Sequence, residues 1–166
     1  MQQVNVILGR GLLGNVYSRG MDVLGAKVAK IPGVDFVSVE DYTSWRSIRD
    51  RIPRYRDPTI LVGHSFFANA ITIIAKQLAH IKFPLLLPVD PSPYWSWSLW
   101  QAGPSVIGTN VARTVNQYQS SGLIGRVRLS GHNVINEPIS STHTQIGDSE
   151  LVHKVAIDEI KKVIAA

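Results

Sequence analysis

The sequence predicts a single α/β domain built on a mostly parallel sheet of five to six strands with helices on both faces. Short runs rich in β-branched residues alternate along the chain with stretches whose apolar residues recur every three or four positions. One run, KFPLLLPVD at 82–90, is almost wholly apolar, which is typical of a strand buried on both faces of a parallel sheet. A chain of 166 residues with 45% apolar residues suits one compact domain, so residues 1–166 are assigned to it.

The elements follow from local patterns along the chain. Five main strands are predicted, followed by two short ones: VNVIL (4–8), DFVSV (35–39), TILVG (59–63), KFPLLLPVD (82–90), VARTVNQY (111–118), RVRLSG (126–131) and NVINEPI (133–139). Helices are predicted at 17–30, 44–51, 66–80 and 150–164. The first helix is expected to stop at Pro32 and Gly33, and the second before Pro53, because proline and glycine interrupt helices.

Composition excludes several classes of site. The chain has no cysteine, which rules out disulfides and thiolate metal ligands, and its histidines and carboxylates lack the spacing of metal ligands. No apolar run is long enough to cross a membrane, and no signal peptide is recognisable, so we expect a cytoplasmic protein with no membrane span. The net charge is +5, and the basic cluster WRSIRDRIPRYRD at 45–57 is expected to be a solvated helix face and loop rather than a nucleic-acid site.

The third strand and the helix after it place Ser65 in a short turn, preceded by Gly63 and His64. A serine on a tight turn at the carboxyl edge of a sheet is held clear of its own backbone and close to the next helix N-terminus. The stretch TILVGHSFFANA resembles the nucleophile elbow of the α/β-hydrolase family, whose pattern is G-x-S-x-G. Seen alone, the same stretch also fits a serine that only caps a helix.

The chain departs from this pattern at Phe67, which stands where the family has its second glycine. The phenyl ring is expected to crowd the strand where the helix and the turn come close. Two outcomes remain open: the ring reshapes the elbow and lines the substrate pocket, or it marks a hydrolase-like domain that binds a ligand without turning it over.

The resemblance implies an acid and a base later in the chain. Asp90 ends the apolar run 82–90 and is therefore expected at the same sheet edge as Ser65. His143 lies in a polar loop before the last helix, with Ile146 three positions on to anchor that loop. The resemblance makes Ser65 the nucleophile, His143 the general base and Asp90 the residue that orients it, with His132 as a weaker alternative base.

The stretch VILGRGLLGN has two interpretations. The family resemblance makes it the loop after the first strand that supplies a backbone N–H to the oxyanion hole, from Gly11 or Leu12, with the N–H of Phe66 as the second donor. Alternatively, the G-x-G-x-x-G spacing of its glycines is that of a dinucleotide-binding turn, formed by Gly9, Gly11 and Gly14.

The dinucleotide interpretation is weak because that fold needs an acidic residue at the end of the second strand, about 20 residues beyond the glycines. Asp35 opens the second strand and Glu40 lies further on than that spacing, so neither fits well.

Aromatic residues follow Asp90 in SPYWSWSLW at 92–100. Four of them, with Phe67, are expected to line an apolar pocket: Tyr94, Trp95, Trp97 and Trp100. These four side chains could instead pack the loop onto the core. The resemblance then implies a serine hydrolase that cleaves a small-molecule ester or thioester through an acyl-enzyme and needs no cofactor.

Overall fold

A computed structural model describes residues 2–11, 19–92, 106–121 and 126–166. The strands are β1 (Val4–Gly9), β2 (Val34–Glu40), β3 (Thr59–His64), β4 (Leu86–Val89), β5 (Thr114–Gln119) and β6 (Val134–Ile139). The α-helices are α1 (Arg19–Val28), α2 (Trp45–Arg51), α3 (Phe66–Gln77), α4 (His143–Ile146) and α5 (Glu150–Ala165), with 3₁₀ turns at Tyr42–Ser44 and Ile52–Arg54. The strands form one parallel sheet in the order β2-β1-β3-β4-β5-β6, so the predicted α/β class is confirmed.

The central strands β1, β3 and β4 are buried on both faces, because successive side chains of a strand point to opposite sides and helices cover each side. Ile7, Leu61 and Leu86 pack in one hydrophobic cluster with residues of α2 and α3. Their strand neighbours, among them Val6 and Val62, pack in a second cluster with residues of α1 and α5. This two-sided burial explains why the central strands are apolar throughout.

The strand order changes direction between β1 and β3, and this places a crevice at the carboxyl edge of the sheet. From β1 the chain moves to β2 on one side, and from β3 it moves through β4 and β5 on the other. The helices that follow β1 and β3 pack on opposite faces, since α1 belongs to one cluster and α3 to the other. Ligands of open α/β sheets bind at such switch points.

Two predicted strands are shorter than the sequence patterns indicate. The run 82–90 pairs regularly only from Leu86, because Pro84 has no amide hydrogen and Phe83 forms just an isolated bridge with Val111. The run 111–118 becomes a strand only at Thr114, because Val111 pairs with Phe83 in that isolated bridge alone.

The prediction of a strand at RVRLSG is wrong. Residues 126–130 have no regular secondary structure. Side-chain amides replace the strand partner: Asn136 accepts a hydrogen bond from the Leu129 amide and donates one to the Leu129 carbonyl, both at 2.9 Å. Asn116 donates to the carbonyl of Val127 at 2.8 Å.

Within the described ranges, no helix combines the length and apolar character needed to cross a membrane. Arginines of the basic cluster at 45–57 make contacts within the chain. The guanidinium groups of Arg46 and Arg49 lie 5.0 and 5.9 Å from the Trp45 ring centre, and Arg51 pairs with Glu40 at 2.8 Å.

Candidate functional site

Ser65 occupies a strained turn between β3 and α3. Its backbone has φ 57° and ψ −120°, a conformation that a residue with a side chain rarely adopts. Gly63 permits the close return of the helix, because a Cβ there would lie 2.7 Å from the carbonyl carbon and oxygen of Phe67. The Ser65 amide donates to the Val89 carbonyl at 2.9 Å, which ties the turn to the end of β4.

A continuous chain of hydrogen bonds joins the three residues that the sequence singled out. The Ser65 hydroxyl donates to Nε2 of His143 at 2.8 Å, and Nδ1–H of His143 donates to Oδ2 of Asp90 at 2.6 Å. The three side chains come from the β3–α3 turn, the start of α4 and the end of β4, so the fold alone brings them together.

Asp90 is fully buried and held by several donors. Its own amide donates to the Gln117 carbonyl at 2.6 Å, which fixes the residue at the end of β4. Besides His143, its carboxylate accepts hydrogen bonds from the Gln119 amide (3.1 Å), the Gln119 side chain (2.8 Å) and the Arg126 amide (3.2 Å). A buried carboxylate needs such partners, and here they fix the direction of both oxygens.

The segment that carries His143 is anchored by apolar packing. Ile146 is completely buried in a small cluster with Val89, Ile139 and Val152. The His143 side chain itself is 19% exposed, so the imidazole lies at the border between the core and solvent.

His64 contributes a contact that the sequence analysis did not foresee. It is buried, and its Nε2–H donates to the backbone carbonyl of His143 at 3.0 Å, with the two ring centres 5.2 Å apart. Burial, reinforced by the positive charge that His143 can carry, lowers the pKa of His64 to about 4. His64 is therefore neutral at neutral pH.

The hydrogen-bond chain has the polarity that nucleophilic catalysis by serine requires. The imidazole can accept the hydroxyl proton through Nε2 while a carboxylate holds the Nδ1 proton and stabilises the imidazolium that forms. Gln119 completes this arrangement around Asp90, and no sequence signal marks it, because a glutamine at a strand end has no characteristic spacing.

The three oxyanion candidates differ in what the structure describes. Phe66 is the first residue of α3, and the amides of a first helical turn have no partner within the helix. Gly11 is buried two residues beyond the end of β1, at the same sheet edge as Ser65. Leu12 lies outside the described residues.

Phe67 does not line a pocket: its side chain is fully buried in the core, which corrects the prediction from sequence. Its ring lies against Gly9 of β1, where a Cβ would come within 1.9 Å of two ring carbons. The missing side chain of Gly9 therefore makes room for the ring, and the ring does not prevent Ser65 from bonding to His143. The four predicted pocket aromatics lie outside the described residues: Tyr94, Trp95, Trp97 and Trp100.

The remaining histidines lie elsewhere. His80 is exposed after α3, and His132 is exposed with its Nε2 2.9 Å from the side-chain nitrogen of Asn133. His153 is buried on α5 and donates to the Gly147 carbonyl at 2.9 Å. Across the described part of the chain, no group of three or more metal-ligating side chains could hold a metal ion.

The chain matches no protein-family model and no curated protein sequence. The interpretation of this site therefore depends on its own geometry and chemistry.

Proposed function

We propose that this protein is a serine hydrolase that cleaves carboxylic esters or thioesters through an acyl-enzyme. The observation that carries the proposal is the hydrogen-bond chain from Ser65 through His143 to Asp90, at 2.8 and 2.6 Å. The strained backbone of Ser65 adds support, since functional sites are where such strain is commonly retained.

In the acylation step, Ser65 Oγ attacks the carbonyl carbon while its proton moves to Nε2 of His143. Backbone amides hold the tetrahedral oxyanion, with Phe66 and Gly11 or Leu12 as the proposed donors, each lowering the barrier by about 3 kcal/mol. The intermediate collapses when the bond to the leaving group breaks, and the alcohol or thiol takes the proton from Nε2. The acyl group remains esterified to Ser65.

Deacylation repeats these steps with water as the nucleophile. His143 accepts a proton from the water, whose oxygen attacks the acyl carbon, and then returns that proton to Ser65 as the carboxylic acid leaves. Throughout the cycle Asp90 keeps Nδ1 as the donor nitrogen and balances the charge on the imidazolium. Its own hydrogen bonds to Gln119 and Arg126 keep the carboxylate in place.

The proposed substrate is a small molecule with an apolar acyl group. The aromatic stretch SPYWSWSLW begins two residues after Asp90, and aromatic side chains there suit an apolar acyl chain. Rates on a series of p-nitrophenyl esters and matching thioesters of increasing acyl length will identify the preferred class.

Two alternatives from the sequence find less support. A binding domain without turnover was suggested by Phe67, but that ring is buried against Gly9, and the Ser65 hydroxyl keeps its hydrogen bond to His143. A dinucleotide site was suggested by the glycine spacing, but packing explains the glycine at position 9, because a side chain there would collide with the ring of Phe67. Enzymatic function is the better explanation of the hydrogen-bond chain.

A fluorophosphonate probe with an alkyl chain tests the proposal directly, because it reacts covalently with an activated serine. We expect one probe per wild-type chain and no labelling of Ser65→Ala. Ser47→Ala is the matched control, since Ser47 is an exposed serine on α2, and it should label like the wild type. Folded wild-type protein that stays unlabelled, or Ser65→Ala that still labels, would refute the proposal.

Ester hydrolysis gives the second measurement. His143→Gln and Asp90→Asn are expected to lower kcat by about 10³-fold or more, because both disrupt proton transfer from Ser65.

A further inference from the structure

The buried imidazole of His64 has no part in the steps described above. It directly precedes Ser65 in the chain, it is 2% exposed, and its Nε2–H donates to the backbone carbonyl of His143 at 3.0 Å. A buried ring that bonds to the main chain of the proposed base is placed to control where that base lies.

The helix that carries His143 is too short to hold itself in position. α4 spans only His143–Ile146, and its N-cap residue Thr142 makes no side-chain hydrogen bond to the helix backbone. Short helices depend on packing for their stability. The far end of this segment is fixed by His153, which donates to the Gly147 carbonyl at 2.9 Å. At the near end, Nε2–H of His64 donates to the His143 carbonyl at 3.0 Å.

We propose that His64 is a positioning residue: by binding the His143 carbonyl, it keeps the imidazole of His143 aligned between Ser65 and Asp90. The inference rests on the proposed function for its catalytic consequence, but the alignment itself is a property of the folded chain.

The charge state of His64 agrees with this role. Its lowered pKa, about 4, keeps the ring neutral at neutral pH, with Nε2 as the donor nitrogen. A neutral ring places no second positive charge 5.2 Å from the His143 ring when His143 takes the proton of Ser65. A lysine or arginine at this position would do so.

Two substitutions separate the hydrogen bond from the packing. His64→Leu fills the space without a donor, whereas the side-chain amide of His64→Gln restores one. We expect His64→Leu to lower kcat by about 10- to 100-fold with KM changed less than about threefold, as for a misplaced catalytic group, and His64→Gln to recover most of the loss. His80→Leu, the same change at an exposed histidine, should leave both constants unchanged.

A second readout does not need activity. The proton between Nδ1 of His143 and Asp90, a 2.6 Å hydrogen bond, should give a far-downfield NMR resonance in the wild type. We expect it to persist in His64→Gln and to broaden or vanish in His64→Leu.

The outcomes are distinguishable. An inert wild type whose resonance is lost in His64→Leu refutes the proposed function and supports the positioning role. His64→Leu that keeps both the wild-type kcat and the resonance overturns the positioning role. Folded His64→Gln that is as impaired as His64→Leu in both readouts also overturns it.

Discussion

At the scale of single residues, Gly9 and Phe67 explain each other. Phe67 departs from the elbow pattern, and Gly9 is one of the glycines of the G-x-G-x-x-G spacing. The sequence alone explains neither residue. In the folded chain the ring of Phe67 takes the space that a Gly9 side chain would need. The pair thus keeps an aromatic side chain in the core two residues after Ser65 without displacing the serine.

We expect Gly9→Ala to destabilise the protein by at least about 2 kcal/mol, because a methyl group 1.9 Å from the ring carbons overpacks the core. Phe67→Leu alone should also destabilise by leaving a gap. Combined with Gly9→Ala it should cost less than the sum of the two, with a coupling of about 1 kcal/mol or more in urea denaturation. Gly147→Ala is the control, since a Cβ there meets nothing closer than 3.5 Å. Strict additivity would contradict the pairing.

Sequence reasoning proposed Ser65, Asp90 and His143 because the strand-turn-helix pattern, and the order of acid and base that the family resemblance implies, can both be read from the sequence. The same reasoning did not predict the roles of His64 and Gln119. Their roles depend on which backbone carbonyl or carboxylate lies 3 Å away in the fold, such as the 3.0 Å contact of His64. The position of Phe67 was misjudged because its partner, Gly9, lies on β1, far from it in the sequence.

At the scale of elements, α1 supports the segment that carries His143. Gly20, in the first turn of α1, lies so close to Gly147 that a Cβ would come within 2.0 Å of the Gly147 carbonyl oxygen and 2.4 Å of its carbonyl carbon. This contact is with backbone, which cannot rotate away as a side chain can. The helix after β1 therefore fixes the position of the helix before α5.

Gly20→Ala should push Gly147 away and move His143 out of line with Ser65, so we expect kcat to fall by about 10-fold or more. Gly25→Ala is the matched control on the same helix, because its closest neighbour is a side-chain methyl of Val39 on β2. Its kcat should stay within about threefold of the wild type. Equal effects of the two variants on ester hydrolysis would show that α1 does not position the segment.

Element boundaries show where local patterns lose their predictive value. The central strands followed from apolar runs, because burial on both faces requires them. The run RVRLSG has the composition of a strand, yet its backbone groups form hydrogen bonds with the side-chain amides of Asn116 and Asn136. Nothing in a short sequence window reveals that side chains from β5 and β6 will replace a neighbouring strand.

At the scale of the whole molecule, the strand order brings the segments that carry Ser65, Asp90 and His143 to one edge of the sheet. The turn after β3, the end of β4 and the start of α4 all lie at the carboxyl edge, and hydrogen bonds between strand ends hold them in register. The alternation of strands and helices predicted the parallel sheet and hence this shared edge. The order of the strands, and thus which loops are neighbours, required the three-dimensional fold.

The buried His64 makes the stability of the whole molecule depend on pH. In the folded protein its pKa is lowered to about 4, chiefly by burial and then by the charge of His143, while its hydrogen bond to the His143 backbone and then the charge of Asp90 act in the opposite direction. In the unfolded chain the pKa of a histidine is about 6.5. Between these values the unfolded chain binds a proton that the folded protein does not, so stability falls as the pH is lowered from about 6.5 to about 4.

We expect this single group to remove about 3 kcal/mol of unfolding free energy over that range, since one pKa unit corresponds to about 1.4 kcal/mol. Below about pH 4 both states bind the proton and the loss stays constant. Urea denaturation of the wild type and His64→Gln at pH 7 and pH 4 isolates the contribution, because the other titrating groups are common to both proteins. The wild type should lose about 3 kcal/mol more than the variant. Equal losses would mean that His64 is protonated in the folded protein as readily as in the unfolded chain, and that it is not enclosed by the core.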